Sequence, residues 1–339
     1  MEFQRRYFEK LLDQHTSKLE MVQQITQVLN LSKDAVYRRL RGATSLTADE
    51  MFRLQQHYRF NDTPGDHTLG SNAARAGTFQ FSFGERQIKS PDDYIEQLEG
   101  RLRQVRELAG LRLLIASPGI PFFHEMIFPR LFAFKLFIYG STCWDIPGWR
   151  DLRFRPEIID HQVLDKVYEV GRFSYTVPGR ELWTMGILNA TLDQIEFMLM
   201  SGRLADDQQA FLLLDDVDDL VNHLEAMAKT GRKFLPGEDS STGARFLPAQ
   251  NELANNDNVI LIDSQHTSTF FATYIMPNFL QSSDSVICDM ARDWFNNIDE
   301  LSTPLGASAG RQRHWYFNRL RQQVANTRER LSSQSRIKF

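Results

Sequence analysis

The stretch QQITQVLNLSKDAVYRRLRG, residues 23–42, decides how the first part of the chain is read. Met21, Ile25, Val28 and Leu29 recur at helical spacing and give one apolar face. Asn30 interrupts that helix, and asparagine tolerates the left-handed conformation a tight turn needs. Leu31 is the apolar plug of the turn. Ser32 is a good N-cap for a second helix in which Ala35, Val36 and Leu40 point inward, and Gly42 ends it. Thr47-Ala48-Asp49-Glu50 has the capping-box pattern and opens a further helix with Met51, Leu54 and Tyr58 inward. A helix, a turn of about three residues with an apolar plug, and a short second helix with small and branched inward residues make the helix-turn-helix arrangement.

On these residues, and on the following LTADEMFRLQQHY, the chain resembles the Cro/repressor-like (XRE-type) DNA-binding domains over about residues 1–60. Asn30 stands where a turn glycine is common, Thr26 where a small alanine is, and Arg39 where an apolar or aromatic residue is frequent. The YRRLRG ending is similar to that of bacterial regulators carrying such a head on a large α/β body. The resemblance implies a second helix of about 33–41 lying in the major groove of double-stranded DNA. It makes Lys33, Asp34, Tyr37 and Arg38 candidates for reading bases, and Ser32, Arg39 and Arg41 candidates for phosphate contact. A head of this kind reads two half-sites best as a two-fold pair, so a homodimer is expected.

Charge is distributed to match. Residues 1–60 carry a net +3 and residues 311–339 a net +7, whereas 61–310 carry −14 within a total of −4. Basic ends on an acidic body direct the search for nucleic-acid contacts to the ends. The basic tail 311–331 interleaves cations with aromatics. It reads as an amphipathic helix with Trp315, Phe317, Leu320 and Val324 on or near the core and its arginines against the acidic body, or else as extra phosphate contact.

Asn61 to Thr78, rich in Gly, Asn, Asp and Thr, reads as a linker, leaving 79–339 as a second, larger domain. There Pro91 to Leu108 reads as a helix with the narrow seam Ile95, Leu98, Leu102 and Val105, suited either to a dimer or to packing on the body. Pro129 opens a helix apolar on more than one face, as expected of one sandwiched inside a domain. Further helical patterns fall near 158–171, 186–202, 206–229, 268–281, 284–298 and 311–331. Two short strands are expected, at 111–116 and 258–263. The fold class is therefore multidomain: an all-α helix-turn-helix head, then a helix-rich α/β body with a small sheet.

Chemistry-bearing patterns in the body are weak. Ser117-Pro118-Gly119 and Asp263-Ser264-Gln265-His266 follow strands, where α/β proteins bind ligands, and Phe122, Phe123 and His124 are candidates to line such a pocket; neither segment matches a phosphate-cradling motif, and turn-and-core roles are the better reading. The run Asp215-Asp216-Val217-Asp218-Asp219 fits no EF-hand spacing and reads as helix solvation. There is no HExxH, HxH, Walker A or GxGxxG pattern. No catalytic residue, metal ligand or cofactor is expected, and the chain is not read as an enzyme. With only Cys143 and Cys288, no signal-peptide pattern and no membrane-length apolar run, a cytoplasmic protein without membrane contact is expected. The expected function is DNA-binding transcription regulation, with the body dimerising or sensing a small-molecule or protein effector. The alternative is an adaptor or scaffold using the head for protein contact.

Overall fold

Eleven α-helices and seven strands make up the described part of the chain in a computed structural model covering residues 4, 7, 8, 11, 12, 15, 17–58, 88–253, 258–275 and 277–335. The chain divides into two compact units, Met1–Thr78 and Phe79–Phe339. The expected linker at 61–78 lies outside the described residues.

In the first unit, α1 (Lys18–Leu29), α2 (Lys33–Leu40) and α3 (Ala48–Tyr58) enclose a small core. Met21, Val22, Ile25, Leu29, Val36 and Leu54 are fully or nearly fully buried there, with Tyr7, Phe8 and Leu11. Ser17 and Ser32 cap α1 and α2 by accepting from the Glu20 and Ala35 amides. Each such cap is worth about 1 kcal/mol.

In the second unit, β1 (Arg112–Ser117) lies at the centre of a mixed sheet. It pairs parallel with β2 (Gly179–Trp183), which pairs parallel with β3 (Phe246–Gln250). On its other side β1 pairs antiparallel with β4 (Val259–Asp263), which continues into the antiparallel β5 (Ser268–Ile275) and β6 (Asn278–Ser282). The two-residue β7 (Thr303–Pro304) closes the far side of β3.

The helices are α4 (Pro91–Arg106), α5 (Phe122–Glu125), α6 (Pro129–Thr142), α7 (His161–Tyr175), α8 (Asn189–Met200), α9 (Gln208–Thr230), α10 (Ser285–Glu300) and α11 (Gly310–Ser335). Alternation divides them between the two sheet faces. Leu114, Ala116, Leu182 and Ala249 pack with Phe295 and Ile298 of α10. Trp183 and Phe246 belong to the main core, with α6 to α9 and α11. As its composition implies, α6 is buried on nearly every side, from Leu131 to Ser141. Gly140 fits there because a Cβ would run into the Trp149 ring.

The sheet is larger than the small one expected. The pattern at 268–281 is the β5–β6 hairpin and not a helix; its run Thr269-Phe270-Phe271-Ala272-Thr273 is rich in aromatic and β-branched residues, which favour a pleated surface. Strand β3 was hidden by Pro248, tolerated because only the very short β7 lies on that side. The tail helix buries Phe317, Leu320 and Val324 as expected, but Trp315 is 55% exposed, and its neighbour Tyr316 is the ring that is buried, donating to the Thr184 carbonyl.

Candidate nucleic-acid interface

The outward face of α2 carries Lys33, Asp34 and Arg38, all exposed, with Ser32 and Arg41 exposed at its two ends. Arg38 donates to Asp34 at 2.6 Å, one turn back, so the carboxylate sets the direction of the guanidinium. Ser32 Oγ is engaged as the N-cap, and Arg41 lies over the last turn with its Nε 3.4 Å from the Tyr37 carbonyl. Tyr37 is half-buried against the head core, so its ring is less available than the spacing implied.

Arg39 differs from its expected role. It is 13% exposed and gives a bidentate ion pair to Glu50 of α3, at 2.9 and 2.6 Å, plus a bond to the Ala35 carbonyl. It therefore ties α2 to α3 and does not face outward with Arg38. Glu50 is also half of a completed capping box: Thr47 N–H donates to Glu50 and Glu50 N–H donates to Thr47 Oγ1. Burial alone would raise the Glu50 pKa. The Arg39 hydrogen bond, the Thr47 amide and the Arg39 charge outweigh it and hold the carboxyl below its usual range.

The turn between α1 and α2 is built as the sequence implied. Asn30 adopts φ 52°, ψ 46°, and the Asn30 and Leu31 amides return to the Gln27 and Thr26 carbonyls. Gln4 braces the other end of α2, donating to the Arg39 and Thr44 carbonyls and accepting from the Leu46 amide. With both ends tied, the α2 face is presented on a fixed scaffold.

The body holds a charged network that the sequence reading missed. His124 of α5 lies 2.9 Å from Glu181 of β2 through Nε2 and 3.0 Å from the Tyr175 hydroxyl through Nδ1. Trp183 Nε1 donates to the same Glu181 oxygen, and Lys233 approaches the other at 3.5 Å while lying over the Phe246 ring. All of these side chains are nearly fully buried. Burial would raise the Glu181 pKa, yet the His124 and Lys233 charges and the His124 and Trp183 hydrogen bonds lower it to about 2. A second buried pair, Glu125 with Lys135 at 3.2 Å, is completed by Thr191 and Gln194. These groups line neither of the two clefts described below; their bonds tie α5 to α7 and β2, and α6 to α5 and α8.

The two loops after strands are not brought together. Ser117 closes its own loop through the Gly119 carbonyl and Asn258, and 264–267 is the tight turn of the β4–β5 hairpin, held by Ser264 and Thr267. Phe122 and Phe123 do line an apolar pocket of about 140 Å³, shared with Leu98, Leu102, Val105 and Phe271. His124, expected there, turns into the buried network. The seam on α4 therefore faces the body, with Ile95 fully buried. Asp216 of the acidic run is taken by Arg130 at 2.6 and 2.7 Å, and Asp215 by Arg328 of the tail. Arg321 and Arg330 pair with Glu225 and Glu196, as expected of tail arginines against an acidic body.

The sequence reading that no G-x-S-x-G pattern occurs is wrong: Gly306-Ala307-Ser308-Ala309-Gly310 has that spacing. Ser308 is exposed in the turn between β7 and α11, and among the described residues no histidine bonds it to serve as a base. Among the described residues no group of three or more His, Cys, Asp or Glu side chains is placed to hold a metal, and no helix is long and apolar enough to cross a membrane. No family model, no curated protein and no solved structure matches the chain.

Proposed function

We propose that the chain is a sequence-specific DNA-binding transcription regulator. In this reading α1, the Asn30–Ser32 turn and α2 form a helix-turn-helix, α2 enters the major groove, and the body dimerises or receives a signal. The observation that carries it is the α2 face: Lys33, Asp34, Arg38 and Arg41 exposed on one short helix whose only fully buried side chain is Val36. Affinity comes from lysine and arginine contacts to phosphate and falls steeply with salt, while Arg38 supplies bidentate recognition of a base edge. Arg39 acts by positioning α2 through Glu50.

The test is selection of bound fragments from sheared genomic DNA by the full-length protein at about 150 mM salt, a concentration at which non-specific binding is weak. Enrichment of a short palindromic site is the expected result. Flat recovery, with no binding at low salt either, would overturn the reading. It would favour the second one, a protein-binding adaptor, to which the exposed Leu19 and Phe52 of the head give specific support.

A further inference from the structure

We propose that the body binds a small organic phosphate in a four-arginine cleft at the end of the sheet where the parallel strands begin. The cleft measures about 290 Å³ and is lined by Arg112, Arg180, Arg245, Arg292 and Asn296. That size approaches the lower end of small-ligand sites.

The convergence follows from sheet geometry. Leu114, Arg180 and Leu247 are register partners across β1, β2 and β3, and so lie side by side on the face that α10 covers. Arg112 lies two residues before Leu114, and Arg245 two residues before Leu247. Period-two alternation puts both on that same face. Arg292 and Asn296, one turn apart on α10, close the cleft from above. Three strands and a helix thus aim guanidinium groups at one space, with Leu114 and Leu247 as an apolar floor.

The arginines are held in place and incompletely neutralised. Asp263, buried at the end of β4, accepts from Arg112 at 2.9 and 2.6 Å and from Arg292 at 3.0 Å, so one carboxylate orients two guanidiniums. Arg292 also meets Asp289, and Arg180 pairs with Asp299. Arg245 is exposed and has no ion-pair partner among the described residues. Four cations face three carboxylates inside a body segment whose net charge is −14. Convergent arginines in such a setting repel one another unless an anion joins them. A tetrahedral phosphate offers acceptors in the several directions from which these forks arrive, whereas a carboxylate offers two oxygens in one plane.

The proposal goes beyond the DNA reading and stands whether or not the head binds DNA. Its test is isothermal titration of the full-length protein with inorganic pyrophosphate, in metal-free buffer of constant ionic strength, with succinate as the carboxylate comparison. Saturable one-site binding of pyrophosphate, much tighter than succinate, is expected. Arg245→Gln, which removes an exposed side chain with no ion pair, should weaken it about tenfold, as should Arg292→Gln. Arg150→Gln, on an exposed arginine outside the cleft, should leave it unchanged. Absence of saturation, equal affinity for succinate, or equal loss in Arg150→Gln would each overturn the proposal. So would loss of duplex-DNA affinity in Arg245→Gln without any pyrophosphate binding, which would assign the arginines to a nucleic-acid backbone.

Discussion

Arg39 and Glu50, eleven residues apart, form a two-bond ion pair that locks the second helix of the head to the third. Glu50→Gln should loosen the head without unfolding the body. Loss of a partly buried charge-assisted pair is worth about 1–3 kcal/mol, or roughly 5–150-fold in local opening. Hydrogen exchange of α2 and α3 amides in the full-length protein reads it directly. Because the Glu50 pKa is lowered on folding, its contribution is present above about pH 4.5, the usual carboxyl value, and is lost as pH falls through the lowered folded value. Unchanged protection in the variant would assign the pair no structural role.

Arg38→Ala should separate specific from non-specific DNA binding. A bidentate base contact discriminates by about 1–3 kcal/mol, so affinity for the selected site should fall about 5–150-fold while that for random duplex falls far less. Competition titrations at fixed salt measure both. Equal losses on the two duplexes would make Arg38 a phosphate contact.

The network around Glu181 should be costly to break on one side only. Glu181→Gln leaves Lys233 buried without its carboxylate, and such half-removals destabilise by about 3–5 kcal/mol. The double variant Glu181→Gln, Lys233→Met should recover part of that loss. All five tryptophans lie beyond residue 143, so urea denaturation followed by tryptophan fluorescence reports on the body. A double variant less stable than the single would show that Lys233 contributes by other means.

His223 predicts a pH dependence in the mildly acid range. Its ring stacks on Tyr175, its Nε2 has no hydrogen-bond partner, and burial followed by the nearby His124 charge lowers its pKa to about 4. The unfolded chain takes up a proton near pH 6.5 and the folded chain only near pH 4, so stability falls as pH drops between these values. The loss is on the order of 3 kcal/mol. His223→Phe should flatten that part of the profile; a slope surviving the substitution would place its origin elsewhere.

Local chemistry made the helices legible. Asn30, Ser32, Thr47 with Glu50, Pro91 and Pro129 each mark a helix end through a hydrogen bond or a fixed φ, and the structure has helices at those points. Strands β1 and β4 announced themselves as apolar runs. By contrast, β2 carries Glu181 and β3 carries Pro248, and each is permitted only by its neighbours. The outward residues of α2 followed from helical spacing. The inward turn of Arg39 did not, because its partner belongs to another helix. The arginine cleft was illegible for the same reason: Arg112, Arg180 and Arg245 become neighbours only once strand order and register are known.

The placement of β4 has a consequence for how the body is made. The edge of β1 that β4 covers is completed by residues some 150 positions later in the chain. At a synthesis rate of about 5–20 residues per second, Leu113-Leu114-Ile115-Ala116 waits roughly 7–30 s for that partner. Throughout that interval the nascent chain displays an apolar strand with an open row of amides and carbonyls, the kind of template that recruits neighbouring chains on a crowded polysome. Until Asp263 has been made, that open edge of β1 is the place in the body where mispairing with another chain costs least.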